Sequence, residues 1–344
     1  MMNQKASEVD RSDMDRPLIT LAIFACNQER FIPSAVEGAF SQTYSPLEII
    51  LSDDHSSDRT FALMKAMADA YRGPHKIVVN RNKKNLGIGE HVNKVFDIAT
   101  GELIVMAAGD DVSLSSRCEV LEKVWSHENH PMMLLSHWHV IDSMGHVTSK
   151  AGKHMNEYGD PESVQGSQKL LRELLLNGKQ LPLHGATAAY NKNVMRTLGT
   201  LNSNVIAEDY ALFLRSLLIG TVLTVKQPLI QFRVHASNIS KVDEVGSERF
   251  RLILTRNIPS YKNLLTDLVK AQQQNTILKR RAKPIRYALG RFIKSAQIIV
   301  TWPKSSFFAK YVFGSAYILT FGPSRHKKWL KNRFIKRVRF LLHK

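Results

Sequence analysis

The stretch Leu47-Glu48-Ile49-Ile50-Leu51-Ser52-Asp53-Asp54 decides the fold. Its apolar run has the length of a buried strand, not of a helix, and it ends directly on two carboxylates. A second run, Leu103-Ile104-Val105-Met106-Ala107-Ala108, ends the same way at Gly109-Asp110-Asp111, and a third, Leu18 to Ala25, ends at Cys26-Asn27. Between the first pair of runs, Ser57-Asp58-Arg59-Thr60 opens a segment that places Phe61, Met64, Ala68 and Tyr71 on one helical face. Strand, crossover helix and strand make a βαβ unit. Such crossovers are almost always right-handed, so repeating the unit from Leu18 to Ala108 predicts a parallel sheet whose strand ends share one edge. Carboxylates at that edge face the crevice where open α/β sheets bind ligands, and Asp53 and Asp110 are expected close together there. The expected class is α/β, with a Rossmann-like nucleotide-binding sheet and flanking helices.

The chain has 344 residues and 44% hydrophobic content, enough for a large core, which excludes a disordered protein. Cys26 and Cys118 both fall beside buried elements, and the N-terminus lacks the charge and apolar order of a signal peptide. A reducing, cytoplasmic location without disulfides is the expectation. The net charge of +18 is local: residues 276–344 carry 18 of the 48 Lys and Arg and no acid, leaving 30 basic against 30 acidic residues elsewhere. That balance argues against a nucleic-acid-binding fold, and no zinc-finger, RNA-recognition or helix-turn-helix pattern accompanies the basic segment. Ser305 to Phe321 is apolar but falls short of a spanning helix. Leu330, Phe334, Val338 and Leu341 recur at helical spacing among basic residues, with Trp329 beside them, which fits an in-plane helix on an anionic membrane surface. A solvated basic helical pair packed on the main domain is the alternative.

Residues 1–16 read as a loose lead-in, 17–240 as the main domain, and 241–344 as a helical, basic, membrane-associating region. Within the main domain we expect a helix over Ser115–Glu128, an apolar strand over Met132–Ile141 and a loop over Met144–Gly166 suited to a lid or acceptor segment. Beyond it we expect a helix ending at Asn177-Gly178, a strand over Gly185–Tyr190, a helix beginning near Glu208, and two short strands in Val222–Val234 broken at Gln227-Pro228. His127, His130, His137, His139 and His146 cluster in sequence, but their spacing matches no zinc pattern.

The ordered motifs resemble the inverting family 2 glycosyltransferases of GT-A fold, of the bacterial cell-surface polysaccharide type. They are Phe24-Ala25-Cys26-Asn27 with Glu29-Arg30; Glu48 to Asp58; Asn85-Leu86-Gly87-Ile88-Gly89 with Asn93; Gly101-Glu102 leading to Gly109-Asp110-Asp111; Ala207-Glu208-Asp209; and Phe232-Arg233-Val234-His235 with Asn238 and Ser240. The resemblance implies transfer of a sugar from a nucleotide-sugar donor, UDP- or dTDP-linked, to a glycan or lipid-linked acceptor. It implies that Asp53 accepts a hydrogen bond from the base, with Ala25, Asn27, Asp54, Asn85 and Gly87 completing the nucleotide pocket. Asp58 reads as a turn and capping residue.

A divalent cation, Mn²⁺ or Mg²⁺, would neutralise the leaving diphosphate, with Asp110 as its first ligand. The family commonly has Asp-x-Asp here, and the first Asp is replaced by Ala108. The cation is therefore expected to rest on Asp110, the diphosphate, water and His235, with Asp111 either a further ligand or an acceptor for backbone N–H groups. Asp209 is implied as the general base, with Glu208 as the alternative. Arg233 is implied at the diphosphate and His184 at the donor sugar or acceptor. Two other readings compete. A non-catalytic sugar-nucleotide-binding relative is compatible with Ala108, and a nucleotidyltransferase of related fold is disfavoured because Ala25 to Arg30 lacks the glycines of a phosphate loop. An enzyme of this kind, peripheral on the inner face of the cell membrane, is the expectation.

Overall fold

The computed structural model describes residues 16–152, 163–177, 183–236, 238 and 247–301. The apolar pattern at Ser305–Phe321 and around Trp329, and most of the lead-in, lie outside the described residues. The first half alternates β1 (Ile19–Ala25), α1 (Ile32–Phe40), β2 (Leu47–Asp53), α2 (Thr60–Ala70), β3 (Lys76–Arg81), α3 (Ile88–Ile98) and β4 (Leu103–Ala108). β1 and β2 are buried along their whole lengths, because helices cover both faces of the sheet. After β4 come β5 (Val112–Ser113), α4 (Arg117–His127), β6 (Met133–Ile141), β7 (Val147–Gly152) and α5 (Val164–Asn177). A 3₁₀ turn (Gly185–Thr187) leads into β8 (Ala188–Asn191), α6 (Asn193–Leu198), α7 (Glu208–Ile219), β9 (Val222–Arg233), α8 (Ser247–Gln273) and α9 (Lys279–Thr301).

The sheet runs β3-β2-β1-β4-β8-β6-β9-β5, with β7 on β6. Its first four strands are parallel, as the repeated crossover requires. β8 then pairs antiparallel with β4 and with β6, so the parallel half stops at β4. In register, Ala25 is opposite Asp53 and Phe24 opposite Ala108, so the two acidic corners flank the end of β1. They stand one strand apart, about 10 Å at ordinary strand spacing, and are not on adjacent strands.

Period-two alternation divides the core. Ile19, Leu21 and Ile23 face α1, α2 and α4 through Ile32, Val36, Met64 and Leu121. Ala22 and Phe24 join Val95, Leu171, Leu214, Leu264, Leu289 and Phe292, which lie on α3, α5, α7, α8 and α9. The last two helices therefore share the core of the sheet domain. α8 is locked to α7 by a fully buried ion pair, Arg215 Nε to Asp267 Oδ2 at 2.8 Å, with the other guanidinium nitrogens on the Gly199 and Thr200 carbonyls.

Three expectations change. Val222–Arg233 is one strand, not two; its register on β6 shifts where Val225 faces Ser136 and Pro228 faces His137. Pro228 has no N–H to offer the ladder, and a bulge absorbs the break. The Met144–Gly166 loop contains β7 and the start of α5. Asp142 Oδ1 accepts the Met144 and His146 N–H groups at 2.8 and 3.0 Å, and Gly145 supplies φ 92°, so a tight turn folds Val147 and Thr148 back on β6. Gly185 to Thr187 form a 3₁₀ turn, and the strand begins only at Ala188. Cys26 and Cys118 are free thiols.

Candidate active site

At the end of β2 the two adjacent carboxylates do different work. Asp54 Oδ1 accepts Asn82 Nδ2 and the Leu86 N–H, both at 2.8 Å, and Oδ2 accepts the Gly87 N–H at 3.0 Å. Gly87 sits at φ 75°, a conformation that favours glycine. Asn85 braces the same loop, its Oδ1 also taking the Gly87 N–H and its Nδ2 donating to the Asp54 carbonyl. The Asn27 side chain accepts Ser57 N–H at 2.8 Å, and the Ala25 carbonyl accepts Asp54 N–H at 2.9 Å. These groups build the rim. Asp58 likewise accepts the Thr60 and Glu29 N–H groups. Asp53 differs: Oδ2 takes the Ser56 N–H at 2.9 Å and lies 3.6 Å from Arg81 Nε, while Oδ1 is buried with no hydrogen-bond partner.

Beyond β4, the Asp110 carbonyl accepts Arg233 Nε at 2.8 Å, and its Oδ2 faces His235 Nε2 at 3.0 Å and Asn238 Nδ2 at 3.5 Å. Phe31 backs the imidazole with ring centroids 4.6 Å apart. Asp111 is buried and its Oδ1 accepts the Arg233 backbone N–H at 2.7 Å. Burial, then the charge of Asp110, push the Asp111 carboxyl well above the usual range. Asp111 is therefore an acceptor for backbone, on β9 and not on the following helix. The Arg233 guanidinium also donates to the Asp142 carbonyl and Ser34 Oγ, both at 3.2 Å, which ties β9 to α1 and to the β6–β7 turn. A cleft of about 730 Å³ opens beside it, lined by Phe31, Ser34, Glu37, Gln231 and Arg233 among others.

No group of three or more His, Cys, Asp or Glu side chains among the described residues is arranged to hold a metal ion. The donor set at Asp110 still fits a hard divalent cation: one carboxylate and one imidazole point at each other, and Mg²⁺ commonly relies on one or two carboxylates plus substrate phosphates.

Glu208 and Asp209 open α7, where acidic groups complement the helix dipole. Both are partly accessible yet enclosed on most sides. Asp209 Oδ1 accepts the Tyr210 N–H at 2.7 Å. Gly185 lies against the pair; a Cβ there would stand 3.1 Å from Glu208 Oε1 and 3.3 Å from Asp209 Cβ. From α8, Ser260 Oγ donates to the Ala207 carbonyl, and the positive charge of Arg256 acts on both carboxylates. Burial and the charge of Asp209 push Glu208 up to about 8, while burial raises Asp209 against the Tyr210 N–H and Arg256. Both carboxyls therefore bind a proton more tightly than free ones, because burial disfavours their charged forms. His184 precedes the 3₁₀ turn, its ring edge-on to Trp138 at 4.8 Å, and burial keeps it neutral.

Two residues escape sequence reading. His91, on α3, is hydrogen-bonded to Ser52 Oγ at 2.6 Å beneath the Asp53–Asp54 corner, and Ser52 Oγ also accepts from Asn80 Nδ2 at 3.0 Å. Burial lowers the His91 pKa, which favours the neutral imidazole. Arg117 is completely buried at the start of α4. A cation in the first turn of a helix opposes the dipole, and that misplacement is the one signal the sequence offers.

The description "Glycosyl transferase family 2" matches residues 20–199 of the chain. The chain belongs to this family. The match takes in the Asp53 and Asp110 corners and ends before Glu208. A relative in Haemophilus influenzae, named "Uncharacterized glycosyltransferase", is 24% identical over 268 residues, covering 76% of this chain and 80% of its own length. The Escherichia coli "UDP-Gal:alpha-D-GlcNAc-diphosphoundecaprenol beta-1,3-galactosyltransferase" is 21% identical over 202 residues, 59% of this chain and 68% of that protein. The crystal structure of S. aureus TarS 1-349 in complex with UDP-GlcNAc superposes with a TM-score of 0.55 at 13% identity, covering 90% of this chain and 92% of that 1-349 chain. That likeness establishes the GT-A fold, and family membership makes the protein a glycosyltransferase.

Proposed function

We propose that this glycosyltransferase moves a sugar from a UDP- or dTDP-linked donor to a glycan or lipid-linked acceptor, with inversion at the anomeric carbon. Asp53 Oδ1 carries the reading. A buried acceptor without a donor is costly in the free protein, and the imide N–H of uracil or thymine is the donor it lacks. Asp54, Asn85 and Gly87 shape the loop that closes over base and ribose, and Ala25 and Asn27 supply the facing main chain. The E. coli relative, named for a UDP-Gal donor and a diphosphoundecaprenol-linked substrate, supports this donor and acceptor class.

The acceptor hydroxyl oxygen bonds to the anomeric carbon as the bond to the diphosphate oxygen breaks, and Asp209 takes the hydroxyl proton. Protonated Glu208 keeps the second carboxyl neutral, so the two do not repel. His184 faces the sugar side. When bound, Mn²⁺ or Mg²⁺ would supply positive charge to the departing diphosphate. Asp110 and His235 would hold it, Asp111 and Arg233 fixing the β9 backbone beneath them. The guanidinium of Arg233, already on three protein oxygens, reaches the diphosphate only with the N–H groups that remain.

Residues 17–240 carry these motifs. Residues 241–344 bring the enzyme to an anionic membrane surface on the cytoplasmic side, supported by the absence of any acid from 276–344 and by the exposed basic face of α9. Among the described residues no helix is long and apolar enough to cross a membrane. Nucleic acid is not a partner in this reading.

The test is thermal protection and donor hydrolysis with UDP-, dTDP- and GDP-sugars in Mn²⁺ or Mg²⁺. UDP or dTDP should protect wild-type protein, and Asp53→Asn, which adds a donor where one is awaited, should lose that protection. Asp110→Asn should stay folded and lose metal-dependent turnover. Equal protection of wild type and Asp53→Asn would remove the base-binding role.

A further inference from the structure

Arg117 and Arg215 are the largest fully buried side chains of the described residues, and Arg117, unlike Arg215, makes no ion pair among them. Its Nη2 donates to the Met106 carbonyl at 2.8 Å and to the Ala186 carbonyl at 2.7 Å, and Nη1 donates to Ser113 Oγ at 3.0 Å. Nε has no partner. Burying a guanidinium on uncharged acceptors alone is costly, and burial pulls its pKa down to about 10. Such a cost needs a return, and the three partners indicate what it is.

Met106 lies in the strand that ends at Gly109-Asp110. Ser113 is in β5, immediately past Asp111. Ala186 is the middle residue of the 3₁₀ turn whose first residue, Gly185, presses on Glu208 and Asp209. β4 and β8 are paired only over Leu103–Val105 against Ala189–Asn191, so beyond Val105 the ladder no longer holds the two segments together. Arg117 bonds both segments beyond the end of that ladder. One planar group with fixed N–H directions sets the spacing between the Asp110 corner and the wall against which the carboxylate pair rests.

We propose that Arg117 is a positioning residue for glycosyl transfer: it fixes the Asp110 side of the site relative to the Gly185 turn that seats Asp209, without touching substrate. This rests on the roles proposed above for Asp110 and Asp209. Loosening the tie should leave nucleotide binding at Asp53 intact and slow the step that needs both halves, since a displacement of about 1 Å can cost about 10²-fold in rate.

The test compares wild type with Arg117→Lys, which keeps the charge but loses the rigid fork that holds both carbonyls and Ser113 Oγ at fixed directions. Three quantities are read: the UDP dissociation constant in Mn²⁺, the kcat and KM for UDP-GlcNAc or UDP-Gal hydrolysis, and hydrogen exchange at the Thr187 and Ala188 amides. Both amides are bonded inside the turn, to His184 and Gly185 carbonyls. Arg117→Lys should bind UDP as wild type does, with KM little changed, kcat lower by about 10- to 100-fold, and faster exchange at both amides. A folded variant with normal kcat and normal exchange overturns the proposal. So does a parallel loss of UDP binding and turnover, which would make Arg117 a general support of the fold. Should Arg117→Lys not fold, Ser113→Ala, which frees Nη1 and lets the guanidinium turn, is read by the same three measurements with a smaller drop in kcat. Exchange does not require turnover, so a wild-type protein inactive on these donors would overturn the donor reading while the tie is still judged.

Discussion

Among the residues, Glu208 and Asp209 make the sharpest division of labour. Two neighbouring enclosed carboxyls resist ionising together, and with Glu208 raised to about 8 the proposed mechanism places the proton on Glu208. Gln mimics a protonated Glu, so Glu208→Gln should keep kcat within about tenfold of wild type, whereas Asp209→Asn should lower it about 10²–10⁴-fold with donor affinity little changed. The reverse ranking would exchange their roles. The pH dependence follows with a definite sign. A carboxyl raised from 4.5 to about 8 keeps its proton in the folded state while the unfolded chain loses it, so stability falls as pH rises across that window. Melting temperatures between pH 5 and 8 should decline less steeply in Glu208→Gln than in wild type, and any feature near pH 8 in the rate profile should vanish in that variant.

At the scale of elements, α9 has two faces with different tasks. Ala282, Ile285, Leu289, Phe292 and Ala296 are buried, and Arg280, Lys283, Tyr287, Arg291 and Lys294 follow the opposite face, with Tyr287 64% exposed. The sequence left a packed helix and a membrane contact as alternatives; an amphipathic helix on the core with its basic side outward accommodates both. Each basic residue near an anionic lipid surface contributes about 1 kcal/mol, which salt screens. Reversing Lys283, Arg291 and Lys294 to Glu should therefore weaken binding to phosphatidylserine-containing vesicles by about 10²-fold at low salt, without altering UDP protection. Vesicle flotation giving equal binding for both proteins would remove α9 from the contact.

At the scale of the molecule, the site is assembled by parts that the charge profile would divide. Composition shifts near Lys270, and the match to the family description ends at residue 199, yet α8 brings Ser260 and Arg256 to the start of α7, and α9 fills the core behind them. A chain ending at Leu278 loses Ile285, Leu289 and Phe292 from that core. At roughly 1.5–3 kcal/mol per buried large side chain the loss approaches the whole stability of an ordinary domain, about 5–15 kcal/mol. Such a truncation should show no cooperative melting by circular dichroism. Normal melting and intact UDP protection would mean that α9 is an appendage.

The sequence by itself determined the parallel half of the sheet and the places of Asp53, Asp110 and Glu208-Asp209, because those are written locally: an apolar run, an acidic corner, an acidic helix start. It separated Asp53 from Asp54 only through the family resemblance; the physical difference, that residues 82–87 bond the Asp54 carboxylate and not that of Asp53, exists only after folding. It could not show that Asp110 and Asp111 hold Arg233, because β9 returns there more than a hundred residues later. Arg117 and His91 read as ordinary helical polar residues until packing turned them inward. Strand order past β4 was likewise a tertiary decision: antiparallel β8 carries the 3₁₀ turn to the carboxylate pair, and no local period in the chain encodes which strand lies next to which.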